Sequence, residues 1–125
     1  MLFALAIAAG GAVGTLARFG ISASMAPVTV RFPFATLLIN VAGSFLIGWL
    51  SGEWSPVKDI TLRAALTIGF CGGFTTFSTF SIETVRMLHA GDARRAATYA
   101  ALSVVLSVGA AALGVATARV LARTA

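Results

Sequence analysis

The stretch Gly69-Phe70-Cys71-Gly72-Gly73-Phe74-Thr75-Thr76-Phe77-Ser78-Thr79-Phe80-Ser81 decides how this chain is organised. It places three Gly, three Thr and two Ser in the middle of an apolar segment. Glycine costs a helix about 1 kcal/mol per residue relative to alanine, and β-branched threonine also favours other conformations. The pattern therefore predicts a third helix that is broken near residues 72–76. The alternative is a continuous but kinked helix whose glycines only pack against a neighbour.

The composition indicates that this segment lies in a membrane. Of the 125 residues, 58% are hydrophobic and 10% are charged, whereas soluble domains carry about 25% charged residues. Too little polar surface remains to coat a soluble particle. The nine Lys and Arg, against four Asp and Glu, form no run that would follow a phosphate backbone. Nucleic acid is therefore excluded as a partner, and the lipid bilayer is the expected environment.

Four apolar segments are long enough to be transmembrane helices, at residues 2–25, 34–52, 60–88 and 95–121. A hydrocarbon core about 30 Å thick needs roughly 20 helical residues. The short connections at residues 26–33, 53–59 and 89–94 make sequential helices antiparallel neighbours. The sequence thus predicts an all-α membrane protein in which residues 1–125 form a single transmembrane domain.

The charges at the two ends of this bundle do not select one orientation. Cytoplasmic loops normally carry the excess of Lys and Arg. One end carries four basic residues and two acidic ones, and the other carries five basic and two acidic residues, which leaves +2 against +3. This near tie favours insertion in both orientations. We therefore expect an antiparallel, dual-topology homodimer related by an axis in the membrane plane.

A break in a transmembrane helix leaves backbone N–H and C=O groups that can bind ions. Unpaired backbone groups persist at membrane depth only where they are buried in protein or line an ion path. The carbonyl oxygens freed at residues 72–75 predict a neutral, all-oxygen site for a hard cation, while the N–H groups that open the next half-helix favour an anion.

Polar residues form a stripe on each of two other helices. Their spacing of four puts the members of each stripe on one helical face. The stripes are Thr36, Asn40 and Ser44 on the second helix, and Tyr99, Ser103 and Ser107 on the fourth. Isolated groups of this kind often only join helices. Two such stripes beside a broken helix instead favour a narrow path lined with hydrogen-bond donors. An anion could move along this path because no cationic side chain would bind it tightly.

Phe77 and Phe80 lie one turn apart, with Ser78 and Thr79 between them. Plain packing is one interpretation of such a pair. The other is contact with an anion, because the edge of an aromatic ring carries positive potential.

Arg18 and Glu83 are the ionisable residues nearest the membrane interior. Arg18 is expected either to reach the interface or to raise the anion concentration at a pore mouth. Glu83 is expected to pair with Arg86 at i+3 or to cap the structure, with proton transfer as the alternative. Trp49 and Trp54 are expected to be interfacial anchors.

No motif typical of an enzyme is found in the sequence. A single Cys excludes an intrachain disulfide, and one Cys with one His cannot form the usual zinc site. No nucleotide site, redox-cofactor site or catalytic constellation is recognisable. The protein is therefore predicted not to be an enzyme.

The sequence resembles the CrcB or Fluc family of small bacterial fluoride channels over nearly its whole length. The matching motifs are, in chain order, Gly10-Gly11, Gly14 and Arg18; Pro33, Thr36-Leu37, Asn40, Gly43-Ser44-Phe45 and Gly48; residues 69–81 with Glu83; and Tyr99, Ser103 and Ser107. Departures are minor: Phe19 stands where Tyr is frequent in the family, and Phe74 where Leu is frequent.

This resemblance implies a dual-topology homodimer in the bacterial inner membrane, with two fluoride pores for passive export. It also implies one structural sodium ion at the dimer centre, which is not transported and is held by the backbone carbonyls of Gly72 and Thr75. The pore residues that it implies are Asn40, Phe77, Phe80, Thr79, Tyr99, Ser103 and Ser107, with Arg18 at the entrance.

Two other functions are compatible with a four-helix membrane protein. A small dual-topology, proton-coupled multidrug exporter would need a carboxylate in its first helix, and this chain has none there. A non-conducting membrane scaffold would not need a broken helix. The fluoride channel is therefore the preferred function.

Overall fold

The structure, a computed structural model, describes residues 1–29 and 31–124. Val30, in the predicted first connection, and Ala125, at the end of the predicted domain, lie outside the described residues. The elements are α1 (Leu2–Ser24), α2 (Ala26–Thr29), α3 (Phe34–Leu50), α4 (Ile60–Ala64), a π-helical segment (Ala65–Cys71), α5 (Gly72–Phe74), α6 (Phe77–His89) and α7 (Ala93–Thr124). The described residues contain no strand, which confirms the all-α prediction.

Three described parts of the chain are long and apolar enough to cross a bilayer: α1, the run Ile60–His89, which we call the third crossing, and α7. Helix α3 is equally apolar but has 17 residues, or about 25 Å at 1.5 Å per residue. The first connection contains the short helix α2, which the sequence pattern did not indicate.

Helices α3 and α7 pack with their backbones in direct contact. A Cβ atom added to Gly48 would collide with the carbonyl oxygen of Ala111, and one added to Gly114 would collide with that of Phe45. At these two positions only glycine leaves room for the approach, and small residues at helix contacts are typical of membrane proteins. The side chains of Ile39 and Tyr99 are fully buried between these helices and their neighbours.

Helix α1 packs in the same way against the third crossing. A Cβ at Gly10 would meet the carbonyl of Ala65, and a Cβ at Gly14 would meet that of Phe70. Gly10 and Gly14 thus let α1 pack against the third crossing, while Gly48 of α3 and Gly114 of α7 let those two helices pack against each other.

The third crossing is interrupted for two residues. Helix α5 ends at Phe74, Thr75 has φ −78° and ψ 157°, and Thr76 has φ −151° and ψ 111°. Both residues are extended. Helix α6 then begins at Phe77, where the Thr76 hydroxyl accepts a hydrogen bond from the N–H of Thr79.

The two tryptophans occupy different surroundings. The indole N–H of Trp49 is buried and has no hydrogen-bond partner among the described residues. Trp49 lies next to Gly48, where α3 and α7 touch, and its role as an interfacial anchor stays a prediction. The ring of Trp54 lies 5.5 Å from the guanidinium carbon of Arg119. This contact brings the C-terminal end of α7 to the second connection.

Candidate functional site

An open groove of about 440 Å³ runs along α3, the third crossing and α7. It is lined by eight of the residues selected from the sequence: Asn40, Ser44, Gly72, Thr75, Phe77, Phe80, Ser103 and Ser107. None of the described residues that line it is charged. The groove therefore offers hydroxyl, amide, carbonyl and aromatic groups without a formal charge.

Asn40 joins α3 to the interrupted part of the third crossing. Its Oδ1 accepts a hydrogen bond from the N–H of Thr76 at 2.8 Å, and its Nδ2 donates to the carbonyl of Thr76 at 3.1 Å. An amide nitrogen carries two N–H donors, so one remains for a ligand in the groove. The side chain thus replaces two backbone hydrogen bonds and still presents a donor.

The interruption removes the usual helical donors from two carbonyl oxygens. In a continuous helix, Gly72 would accept from the N–H of Thr76, and Thr75 from that of Thr79. Here the Thr76 N–H donates to Asn40, and the Thr79 N–H donates to the Thr76 hydroxyl at 3.2 Å. Neutral carbonyl oxygens are ligands that hard cations accept. The carbonyls of Gly72 and Thr75 are therefore of the donor type that the predicted cation site requires, and the site itself stays a prediction.

Arg18 contacts the third crossing from α1. Its Nε donates to the carbonyl oxygen of Gly73 at 3.1 Å, and the Thr15 hydroxyl lies 3.5 Å from the same oxygen. Arg18 is not among the residues that line the groove. A role at a pore entrance remains a prediction.

Glu83 is held by two hydroxyl groups from neighbouring helices. The Thr36 hydroxyl donates to Oε1 at 2.9 Å, and the Tyr99 hydroxyl donates to Oε2 at 2.7 Å. The predicted pair with Arg86 is wrong, because the one ion pair in the described part of the chain joins Arg95 to Asp92. Arg86 is exposed at the surface, while the carboxylate turns inward to the hydroxyls.

The aromatic residues form a continuous row. The ring centroids of Phe77 and Phe80 are 5.3 Å apart, and those of Phe80 and Tyr99 are 5.2 Å apart. Tyr99 is fully buried behind Phe80, whereas Phe77 is 77% exposed. The Tyr99 hydroxyl hydrogen is committed to Glu83, so this residue supports the groove from behind and does not line it.

The hydroxyl groups of Ser103 and Thr79 differ in their hydrogen-bond partners. Ser103 is 8% exposed, and its buried Oγ has no hydrogen-bond partner among the described residues. Ser103 also lines the groove, which makes its hydroxyl a candidate donor to a ligand there. Thr79 does not line the groove, and its Oγ1 lies 3.0 Å from the Oγ1 of Thr76.

Sequence reasoning missed Thr67, which lines the groove. Thr67, Cys71 and Thr75 are spaced by four residues. This spacing was the available signal, because it is typical of one helical face. Thr67 was not selected because its neighbours in the sequence, Leu66 and Ile68, are apolar.

Known protein families include one that matches most of this chain. The model for the family described as CrcB-like protein, Camphor Resistance (CrcB), matches residues 5–115. The chain belongs to the CrcB-like family. This membership confirms the resemblance found in the sequence.

Relatives in the CrcB-like family match most of the chain. The fluoride-specific ion channel FluC of Nitrobacter winogradskyi is 45% identical over 127 aligned positions, which cover 95% of this chain and 97% of that protein. The protein of the same name from Azotobacter vinelandii is 48% identical over 103 positions, covering 80% of this chain and 83% of the relative. That from Saccharophagus degradans is 44% identical over 108 positions, with 85% and 81% covered.

Family membership also settles the general class of this CrcB-like chain. Its relatives are named as ion channels, which confirms the prediction that the protein is not an enzyme. Together with the three membrane-length helices, the family confirms a multi-pass protein of the cell membrane.

Proposed function

We propose that this chain forms a fluoride-selective channel through which fluoride leaves the cytoplasm passively, which lowers fluoride toxicity. The relatives that match it most fully are named as fluoride-specific ion channels. The observation that carries the proposal is the uncharged groove in which Asn40, Phe80 and Ser103 meet. A pore must replace lost water while binding weakly enough to release the ion.

The groove supplies donors of three kinds. The second amide hydrogen of Asn40 and the unpartnered hydroxyl of Ser103 can each donate to an anion. The ring edges of Phe77 and Phe80 add positive potential along the same wall. Because no cationic side chain lines the groove, an anion is not trapped there. A small, strongly hydrated anion gains most from such close donors.

A second copy of the chain, in the opposite orientation, is proposed to close the groove. Phe77 and Gly72 are exposed in the single chain, and an ion path cannot remain open to lipid. The charges of +2 and +3 at the two ends give neither orientation an advantage. The proposed assembly is therefore a dual-topology homodimer with its pores between the subunits.

A structural sodium ion is proposed at the centre of this dimer. The carbonyls of Gly72 and Thr75 would hold it, since their helical donors are engaged elsewhere. When bound, the ion would offset the repulsion between the carbonyl dipoles that face it. Asn40 and the hydroxyl of Thr76 keep this backbone extended. The ion is not transported.

Fluoride efflux from reconstituted vesicles tests this function. Vesicles loaded with potassium fluoride are diluted into fluoride-free buffer, and valinomycin with potassium sets the voltage while an electrode follows the fluoride that is released. We expect rapid fluoride efflux from these vesicles, and no chloride efflux, followed with a chloride electrode, from matched vesicles loaded with chloride. Efflux that required a proton gradient and a cationic drug would identify an exporter. An absence of efflux would leave only a scaffold.

A further inference from the structure

A second cavity lies against one end of the groove. It has a volume of about 250 Å³ and is lined by Ser51, Gly52, Arg63 and Thr67. Thr67 also lines the groove. Ser51 follows the groove residue Ile47 by four positions, and Arg63 precedes Thr67 by four, so both lie about one helical turn further along. The cavity therefore continues the groove towards the second connection.

The positive charge of Arg63 in this cavity is not neutralised by a neighbour. Among the described residues, the guanidinium makes a single hydrogen bond, a long one of 3.5 Å from Nη1 to the carbonyl of Gly52. Asp59 instead caps the start of α4. Within residues 1–29 and 31–124 the single ion pair joins Arg95 to Asp92, so no carboxylate lies within 4.0 Å of Arg63. Most of the guanidinium donors therefore remain available.

The size of the cavity determines the kind of ligand that it can take. A water molecule occupies about 30 Å³ in the liquid, so a volume of about 250 Å³ admits a small anion together with part of its water shell. An ion here need not be dehydrated. Such a site selects by charge and not by identity. The uncharged groove beyond it is where water must be replaced.

We infer that Arg63 makes this cavity an anion-capture site, which holds a hydrated small inorganic anion at the end of the groove before that anion enters. The inference rests on the proposed channel function. A cation in a cleft with low-dielectric walls raises the local concentration of anions and their rate of entry. Because the anion keeps its water, the site binds weakly and releases the ion readily.

Two variants of Arg63 and one matched control test this inference. Arg63→Gln removes the charge and Arg63→Glu reverses it, while Arg123→Gln removes a charge from the exposed end of α7 on the same side of the bundle. At low ionic strength and low fluoride, we expect Arg63→Gln to lower the initial efflux rate about two- to fivefold, and Arg63→Glu to lower it further. Arg123→Gln should match the wild type.

Raising the ionic strength with potassium gluconate separates steering from structure. The Debye length falls to about 3 Å at 1 M, so the three rates should converge with that of the wild type. A deficit in Arg63→Gln that persists at high ionic strength would show a structural role and overturn the inference. So would a wild-type rate in Arg63→Gln at low ionic strength.

A measurement on the unmodified protein keeps the inference testable if the variants do not assemble. Sulfate inside the vesicles, at constant ionic strength, should compete for the cavity and slow fluoride efflux, whereas gluconate should not. Equal rates in the two salts would overturn the capture site while leaving the channel intact. If the wild type releases no fluoride at all, it is the proposed function that fails.

Discussion

Asn40 holds both backbone polar groups of Thr76, a residue 36 positions away: Oδ1 accepts from the N–H at 2.8 Å, and Nδ2 donates to the carbonyl at 3.1 Å. Because Thr76 is extended, its N–H and C=O cannot make the usual helical hydrogen bonds. The Asn40 side chain supplies both partners instead. In lipid no water is available for this purpose. The interruption of the third crossing thus depends on α3.

Asn40→Asp should abolish fluoride efflux. The aspartate has no N–H to donate to the Thr76 carbonyl, and it places a negative charge beside the path of an anion. The lost hydrogen bond should also lower the free energy of unfolding by about 1–3 kcal/mol. Vesicle efflux and size-exclusion chromatography check this, with the dimer expected to persist. Wild-type flux in this variant would remove Asn40 from the pore.

Phe80→Ile should also abolish efflux without dispersing the dimer. Isoleucine keeps the residue apolar but removes the ring edge and the contact with Tyr99, whose centroid lies 5.2 Å away. Phe3→Ile is the matched control, because Phe3 is on α1, is 46% exposed and does not line the groove. If both variants conduct equally, the aromatic edge is not needed for conduction.

Gly114→Ala should destabilise the protein much more than Gly109→Ala on the same helix. A methyl group at Gly114 meets the Phe45 carbonyl and the Trp49 backbone nitrogen, whereas one at Gly109 has nothing within 4 Å. Overpacking against backbone costs about 1–3 kcal/mol, while alanine in an open helical position is neutral or gains up to about 1 kcal/mol. Thermal unfolding in detergent measures both. Equal melting temperatures would contradict the close contact of α3 and α7.

Glu83→Ala should lower the free energy of unfolding by about 1–3 kcal/mol, because it leaves the buried Tyr99 hydroxyl without an acceptor. Glu83→Gln keeps an acceptor oxygen and should cost less than the alanine variant. Glu53→Ala, at an exposed position, serves as the control. Unfolding in denaturant provides the comparison. A larger loss for glutamine than for alanine would argue against hydroxyl binding as the role of Glu83.

Exchange of sodium for a large organic cation should disable the channel. N-methylglucamine is too large for a site made of the Gly72 and Thr75 carbonyls, and its hydrogen bonds cannot replace oxygen coordination. Fluoride efflux should fall during exhaustive exchange and return when sodium is restored. Undiminished transport after exchange would exclude a required cation there.

The fold was largely readable from the sequence because lipid imposes strong constraints on it. Apolar length and short connections predict the helices, and the run of Gly and Thr marks the third crossing as unusual. Local pattern did not reveal helix α2 or the π-helical segment Ala65–Cys71. The π-helical segment packs against α1, where a Cβ at Gly10 would meet the Ala65 carbonyl. No spacing rule includes such a contact.

The sequence predicted many residues of the candidate site but not which of them contact each other. Helical spacing put Tyr99 and Ser103 on one face, yet only the fold shows that Tyr99 is buried on Glu83 while Ser103 faces the groove. The i+3 rule favoured Arg86 for Glu83 because it considers one helix alone. In the structure the carboxylate instead accepts hydrogen bonds from the hydroxyls of Thr36 and Tyr99, which belong to two other helices.

The extended residues Thr75 and Thr76 have a consequence for biogenesis. While the third segment stands alone in lipid, no amide from α3 can satisfy Thr76, and closing the local ladder is the only way to avoid unpaired backbone groups. The extended stretch is therefore stable in lipid only where α3 packs against it, so the third segment cannot reach its final shape before the second segment is in place.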